Sequence, residues 1–360
     1  MQTPPRFTSR TCLTILLGAL GSSPIIAGAA PTSSHPDNWV AIADQTAFEP
    51  RDSVTEIVHD GRMWLMGGWF NSFASPPHDV WSSADGKTWS LATNQAPWTH
   101  SDFAMGIAFK DRMWVMGGWA NGRLPDASAT NEVWSSRDGK NWELAGHAEW
   151  SPRLAGACVV FDGKIWVLGG TEKYYYGDEA SLKNDVWNSS DGKTWHQVTS
   201  SAPWSPRAFH RVLVFRGKLW VLGGGSYSPV SSAASDVWCS EDGAHWTLVT
   251  ERTTWTPRIW AGAAVYRDQM WFFGGWSKGR TEESGNWNDI WHSKDGKTWE
   301  ESKPETVWRA RHAPAVLCFD DKLWVIAGKT GPTMNDVWSL HLPLDWPSYP
   351  PITNKPPEKQ

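Results

Sequence analysis

Short runs of apolar or alternating residues, each closed by turn-forming residues, recur along almost the whole chain and predict many brief β-strands. One run is easy to follow: Met63-Trp64-Leu65-Met66-Gly67-Gly68, with the same pattern around Trp114, Trp166, Trp220, Trp271 and Trp324 at steps of 50, 52, 54, 51 and 53 residues. A second tryptophan follows Asp-Val or a close variant at Trp81, Trp134, Trp187, Trp238, Trp291 and Trp338. A third follows an Asp-Gly turn, as in Ser83-Ala84-Asp85-Gly86-Lys87-Thr88-Trp89, and returns at Trp142, Trp195, Trp246 and Trp299. In the fourth unit the pattern predicts strands at Arg211 to Phe215, Lys218 to Gly223, Asp236 to Ser240 and Trp246 to Thr250, joined by Arg216-Gly217 and Asp242-Gly243 turns. Four short strands per unit of this length predict one blade of an all-β propeller. The loops after the glycine pairs run from six to about sixteen residues and share no sequence, the usual place for function on a rigid scaffold.

The third tryptophan has no sixth copy at the C-terminal end. Trp39 supplies it, because Trp39 to Trp64 spans 25 residues, as does Trp89 to Trp114. Asn38-Trp39-Val40-Ala41-Ile42 is therefore expected as the last strand of a blade whose other three lie within 310–340. Six units then form one ring, and no sheet edge needs a capping repeat.

Composition adds one anomaly, 29 tryptophans in 360 residues. The repeat accounts for 23 of them, counting Trp98, Trp150, Trp204, Trp255 and Trp308, which precede the second-strand tryptophans by sixteen residues, with Phe48 in the remaining unit. A side chain present in every blade is expected to pack blade on blade. The net charge of −5 without a basic block gives no footprint for nucleic acid. Arg6 and Arg10, the apolar run Cys12 to Leu20 and Ala27-Gly28-Ala29 read as an export signal over 1–29, followed by the propeller over 36–342 and a Pro-rich tail over 343–360. The location expected is secreted or periplasmic. The apolar run is shorter than the roughly 20 residues that span a bilayer, and no later segment is long enough. Cys158, Cys239 and Cys318 lack paired spacing and read first as small buried hydrophobes.

The Gly-Gly doublet, the downstream Asp-Val-Trp, the further Trp and the Pro-Arg before the next unit together resemble the kelch repeat, six times over. The Ser-x-Asp-Gly-Lys-Thr-Trp turn is similar to a shortened Asp-box of sialidase propellers. The resemblance implies a six-bladed β-propeller, and kelch propellers include partner-binding scaffolds, glycan binders and a few sugar enzymes. It also implies that loops after the second strand and loops between blades open on one face.

Tryptophans outside the repeat mark that face. Trp69, Trp119 and Trp276 follow a Gly-Gly pair, Trp287 lies in the loop of Trp276, and Trp260 precedes a first strand, with Phe103 and Phe209 at its repeat position. These seven are the expected ligand-stacking residues. Trp346, in the tail, is expected over the closure seam. Arg207, Arg258 and Arg311, with Arg51 and Arg153, form a ring suited to a carboxylate or phosphate, although Pro-Arg also belongs to the repeat and can serve to fix a loop. Asp52, Asp102, His210 and His312 depart from the repeat and are the candidate acid–base residues.

Three functions follow from different readings of this face: an exported binder of carbohydrate or another small anionic or aromatic-stacking ligand, a sugar-active enzyme such as an isomerase resembling the kelch epimerase of N-acetylneuraminate, or a protein-interaction scaffold. A copper site like that of galactose oxidase would need two tyrosines, two histidines and a cysteine cross-link. The chain has six tyrosines, three of them adjacent at Tyr174-Tyr175-Tyr176, and its cysteines sit in or beside repeat strands. No metal or other cofactor is expected, and a monomer is expected.

Overall fold

The computed structural model describes residues 37–70, 77–175, 179–227, 232–280 and 285–346. The expected export segment, Tyr176 and the tail beyond 346 lie outside the described residues. Among the described residues, six four-stranded antiparallel sheets form the blades, with two small two-stranded sheets and one 3-10 turn, Glu179–Ser181, in the loops. No helix among the described residues is long and apolar enough to cross a membrane.

The first blade shows how the sequence builds each unit. Its strands are Thr55–His59, Arg62–Met66, Val80–Ser83 and Ser90–Thr93, paired in chain order. The Asp60-Gly61 turn, both residues at positive φ, closes the inner hairpin, and the Trp64 indole donates to the carbonyl of His59. The fourth blade has strands Arg211–Phe215, Lys218–Leu222, Val237–Ser240 and Thr247–Thr250, within a residue of the sequence expectation at each end. First strands of successive blades touch around the axis, and that of the sixth blade touches that of the first, so the ring is closed.

Closure uses the N-terminal strand. Val40–Ala43 pairs with Thr333–Leu340, Val40 opposite Ser339 and Ala41 opposite Trp338, to complete the sheet of Ala315–Phe319 and Lys322–Lys329. Asn335 fastens the seam by donating to the carbonyls of Thr46 and Phe48, 3.1 and 3.0 Å. The tail adds a second clasp: Leu342 bonds to Tyr266 and Arg267 of the fifth blade, and Trp346 packs 5.1 Å from the Trp271 ring.

The apolar side chains divide into six clusters between neighbouring blades and a seventh around the axis. In each interface a fully buried ring meets a fourth-strand tryptophan edge-on: Trp98 with Trp142, Trp150 with Trp195, Trp204 with Trp246, Trp255 with Trp299, Trp308 with Trp39 and Phe48 with Trp89. Edge-to-face geometry sets the positive ring edge on the negative face of its neighbour. Phe48 thus does the work of the tryptophan missing from its unit. The cysteines depart from expectation: all three are thiols, but only Cys239 is buried, while Cys158 is half-buried at the axis and Cys318 is exposed.

Candidate functional site

Six equivalent residues, Asp52, Asp102, Leu154, Ala208, Ile259 and His312, precede the first strands, and each forms an antiparallel bridge with the residue after a Gly-Gly or Ala-Gly pair: Trp69, Trp119, Thr171, Gly225, Trp276 and Lys329. These bridges bring the two loop sets to one face, as the kelch resemblance implies. The next six residues, Ser53, Phe103, Ala155, Phe209, Trp260 and Ala313, all have positive φ. Such a conformation disfavours bulky side chains and persists only where the surroundings impose it. Here a circle of backbone hydrogen bonds, made in five of its six links, imposes it: Phe103 donates to Ser53, Ala155 to Phe103, Phe209 to Ala155, Ala313 to Trp260 and Ser53 to Ala313, each at 2.9 to 3.1 Å.

This circle brings Phe103, Phe209 and Trp260 into mutual ring contact, 5.1 to 6.3 Å between centroids. The trio lies at the boundary of two cavities. Beneath it runs the central channel, about 540 Å³, lined by the first strands and the residues just before them, among them Glu56, His210 and Arg211. Glu56 and Arg211 approach to 3.7 Å from blades on opposite sides of the axis. Above it opens a bowl of about 350 Å³, lined by Asp52, Ser53, Trp69, Asp102, Arg123, Tyr174, Tyr175, Tyr227, Trp260, Trp276, His312 and Lys329.

The bowl is electrically divided. Blades six, one and two place His312, Asp52 and Asp102 in its lining, whereas the equivalent residues of blades three, four and five, Leu154, Ala208 and Ile259, are apolar and buried outside it. Burial pushes the Asp52 carboxyl up to about 6 against the pull of Lys329, and the Ser53 hydroxyl donates to it at 3.0 Å. Asp102 is raised well above the carboxylate range by burial and by the charge of Asp52. His312 is pushed down to about 3 by burial and by Lys329, so its ring is neutral. It stacks on Trp260 at 4.8 Å. Across the bowl, Arg123 lies 4.6 Å from the Tyr175 ring.

The structure brings together Asp52, Asp102, Trp69, Trp260, Trp276 and His312. It separates the rest of the expected set. His210 faces the channel, where burial and then Arg207 and Arg211 push it down to about 3. Phe103 and Phe209 form the channel roof rather than the bowl wall. Trp119 is buried in the axial cluster, and its indole donates to Gly122. Trp287 is held between Arg258 and Arg280, 4.4 and 3.8 Å from their guanidinium carbons.

The arginine ring is not an anion clamp. Arg207 uses all five N–H donors internally: Asp236 takes a bidentate pair at 2.6 and 2.9 Å, and Ser205 and the Gly223 carbonyl take the remainder. Arg51, Arg153, Arg258 and Arg311 repeat the lock with Asp79, Asp185, Asp289 and Asp336. The same aspartates accept the indole N–H of the third-strand tryptophans, for example Trp238 at 2.8 Å. In the second blade Ser101 stands at the arginine position, and Glu132 rather than aspartate meets Trp134.

No family profile matches the chain. Among curated proteins, alpha-scruin of Limulus polyphemus is 24% identical over 206 residues, 56% of this chain and 22% of that protein. Beta-scruin of the same organism is 26% identical over 195 residues, 52% of this chain and 20% of its own. The Ras guanine nucleotide exchange factor F of Dictyostelium discoideum is 29% identical over 113 residues, 29% of this chain and 10% of that protein. The chain thus spans about a fifth or less of these relatives. The solved structure of YjhT superposes with a TM-score of 0.65 at 16% identity, covering 83% of this chain and 97% of that one. The chain is a kelch-repeat propeller.

Within this kelch propeller the sequence reading passed over Ser53, Arg123, Tyr174, Tyr175, Tyr227 and Lys329 as site residues. Lys329 carried a signal, since it occupies the repeat position of Trp69 and Trp276. The tyrosines and Arg123 come from loops without a repeat register, and only the folded loops bring them to the bowl. Among the described residues no group of three histidine, cysteine or acidic side chains is placed to hold a metal ion.

Proposed function

We propose that this propeller binds a small ligand of the carbohydrate class in the bowl above its channel. The observation that carries the reading is a cavity of about 350 Å³ in which Trp69, Trp276, Tyr174, Tyr175 and Tyr227 line the same space as the buried carboxyls of Asp52 and Asp102 and the half-buried ring of His312. Aromatic walls suit the apolar face of a sugar ring, and a few buried polar groups fix its hydroxyls. Calorimetric titration of the protein with a panel of monosaccharides and short glycans tests it. Trp276→Ala should weaken binding about tenfold, as for a stacking anchor worth about 1.4 kcal/mol, while leaving the melting temperature within a few degrees. Affinity unchanged in that variant, or a ligand seated on the Asp-Gly turns, would sink the reading.

The carboxyl pair with His312 favours a second reading, an acid–base enzyme acting on the same ligand. Asp102→Asn that abolishes turnover while binding persists would select it. Export to the periplasm or medium fits either reading and rests on the Arg-flanked apolar run. N-terminal sequencing of secreted material should begin near Ala30.

A further inference from the structure

His312 has a defined tautomer. Asn286 is fully buried, and its amide nitrogen donates to the Thr330 carbonyl at 3.2 Å, which turns its oxygen toward His312 Nδ1 at 2.6 Å. Nδ1 therefore carries the proton, and Nε2 presents a lone pair, 3.9 Å from an Asp52 oxygen. Two acceptors facing each other at that distance gain nothing directly; a donor entering beside them satisfies both. On the same floor, Asp102 is almost fully buried, and its Oδ1 has no hydrogen-bond partner. A buried polar atom without a partner costs about 1–3 kcal/mol, which a ligand group can recover.

We infer that His312, oriented by Asn286, and Asp102 form a hydroxyl-reading subsite, and that the ligand is an uncharged polyhydroxylated ring rather than an acidic one. This rests on the reading of the bowl as a sugar site. Burial and the Asp52 charge both raise Asp102, whereas Lys329 draws Asp52 back down, so of the two carboxyls Asp102 is the better placed to hold a proton and donate, while His312 Nε2 accepts. One hydroxyl of the ring gives its proton to Nε2, and another oxygen accepts from Asp102. A ring carboxylate would bring a charge against Asp52. Among the described residues the bowl has two cations: Lys329 is offset by Asp52, and Arg123 stands across the bowl against Tyr175, not beside Asp52 or Asp102; the arginine ring is locked.

The test is calorimetric titration of the full chain with glucose, galactose and mannose and with the uronic acid of each, alongside ¹⁵N NMR of the imidazoles. At least one neutral sugar should bind ten or more times tighter than its uronic acid, and the His312 resonances should report the Nδ1–H tautomer and shift on binding. Asn286→Leu should lose tenfold in neutral-sugar affinity and show mixed tautomers. Asn286→Asp keeps a partner for Nδ1–H but favours the charged ring, so Nε2 becomes a donor and the preference for the neutral sugar should shrink. If the uronic acids bind tighter, and Lys329→Met removes that advantage, this inference falls while the sugar-site reading stands. If no sugar binds, or Trp276→Ala leaves binding unchanged, the reading itself falls and takes the inference with it.

Discussion

His210 and His312 are two repeat positions apart, yet one faces the channel and the other the bowl. Both are neutral in the folded chain, with values depressed to about 3 chiefly by burial. In the unfolded chain each takes up a proton near 6.5, so stability falls as pH drops from 6.5 toward 3, by up to about 1.4 kcal/mol per pH unit for each ring. Asp52 and Glu56, raised to about 6 and about 7, act in the opposite sense: what they contribute is complete in acid and is lost as pH rises through those values. His210→Leu should therefore flatten the acid limb by about 1.4 kcal/mol per unit between pH 6 and 4, measured by urea unfolding. Parallel limbs for variant and parent would contradict the placement. At this scale the sequence was informative where a residue broke the repeat, as at Asp52, Asp102 and His312. At Arg207 it left two roles open, anion clamp and loop fixing, and the fold gives the second through Asp236, a partner 29 residues away that only folding brings close.

The Ser-x-Asp-Gly turn is a short connection within its blade, and the blade interfaces give it a second role. In the third blade Ser189 Oγ accepts from the backbone of Asp191 and Gly192, and Asp191 Oδ1 accepts from Lys193 and Thr194, so two side chains hold the whole turn. Gly192 sits at φ +75° directly against the Trp114 ring of the preceding blade, where a β-carbon would collide with it. Gly86, Gly139, Gly243 and Gly296 press on Trp324, Trp64, Trp166 and Trp220 in the same way. Each turn therefore caps the neighbouring blade, and Trp346 covers Trp271, the remaining member of the series. Gly217, at φ +72°, has open space around its α-carbon and isolates the backbone effect. Gly217→Ala should cost about 1–2 kcal/mol from the left-handed conformation alone, and Gly192→Ala about 1–3 kcal/mol more from the collision. Equal melting temperatures for the two variants would show that the turn does not bear on the next blade. The strand pattern was legible because short apolar runs and the glycine turns that close them are local; the turn's second role was not, because its partner lies in another unit.

Ring closure is the property of the whole molecule on which the bowl depends, since the carboxyls come from blades one and two and His312 from blade six. It was legible from a single spacing, the 25 residues from Trp39 to Trp64. Deleting residues 37–44 should leave the Thr333–Leu340 strand unpaired on one side, remove Trp39 from its cluster with Trp308, and cost several kcal/mol. Differential scanning calorimetry should show the loss, and an unchanged melting temperature would contradict the pairing. The loops that furnish Tyr174, Tyr227 and Arg123 vary in length and composition from blade to blade, and nothing local in them encodes their meeting over the axis.

The seam also imposes an order in time. Thr46, just beyond the N-terminal strand, and its partner Asn335 are 289 residues apart in the chain. A ribosome adding about 5–20 residues per second needs on the order of tens of seconds to make that stretch. Throughout that interval the Val40–Ala43 strand has no Thr333–Leu340 strand to pair with. The nascent chain must therefore keep one apolar, β-forming segment uncommitted until the last blade is made, and whatever shields that segment from other chains governs how much of the protein closes correctly.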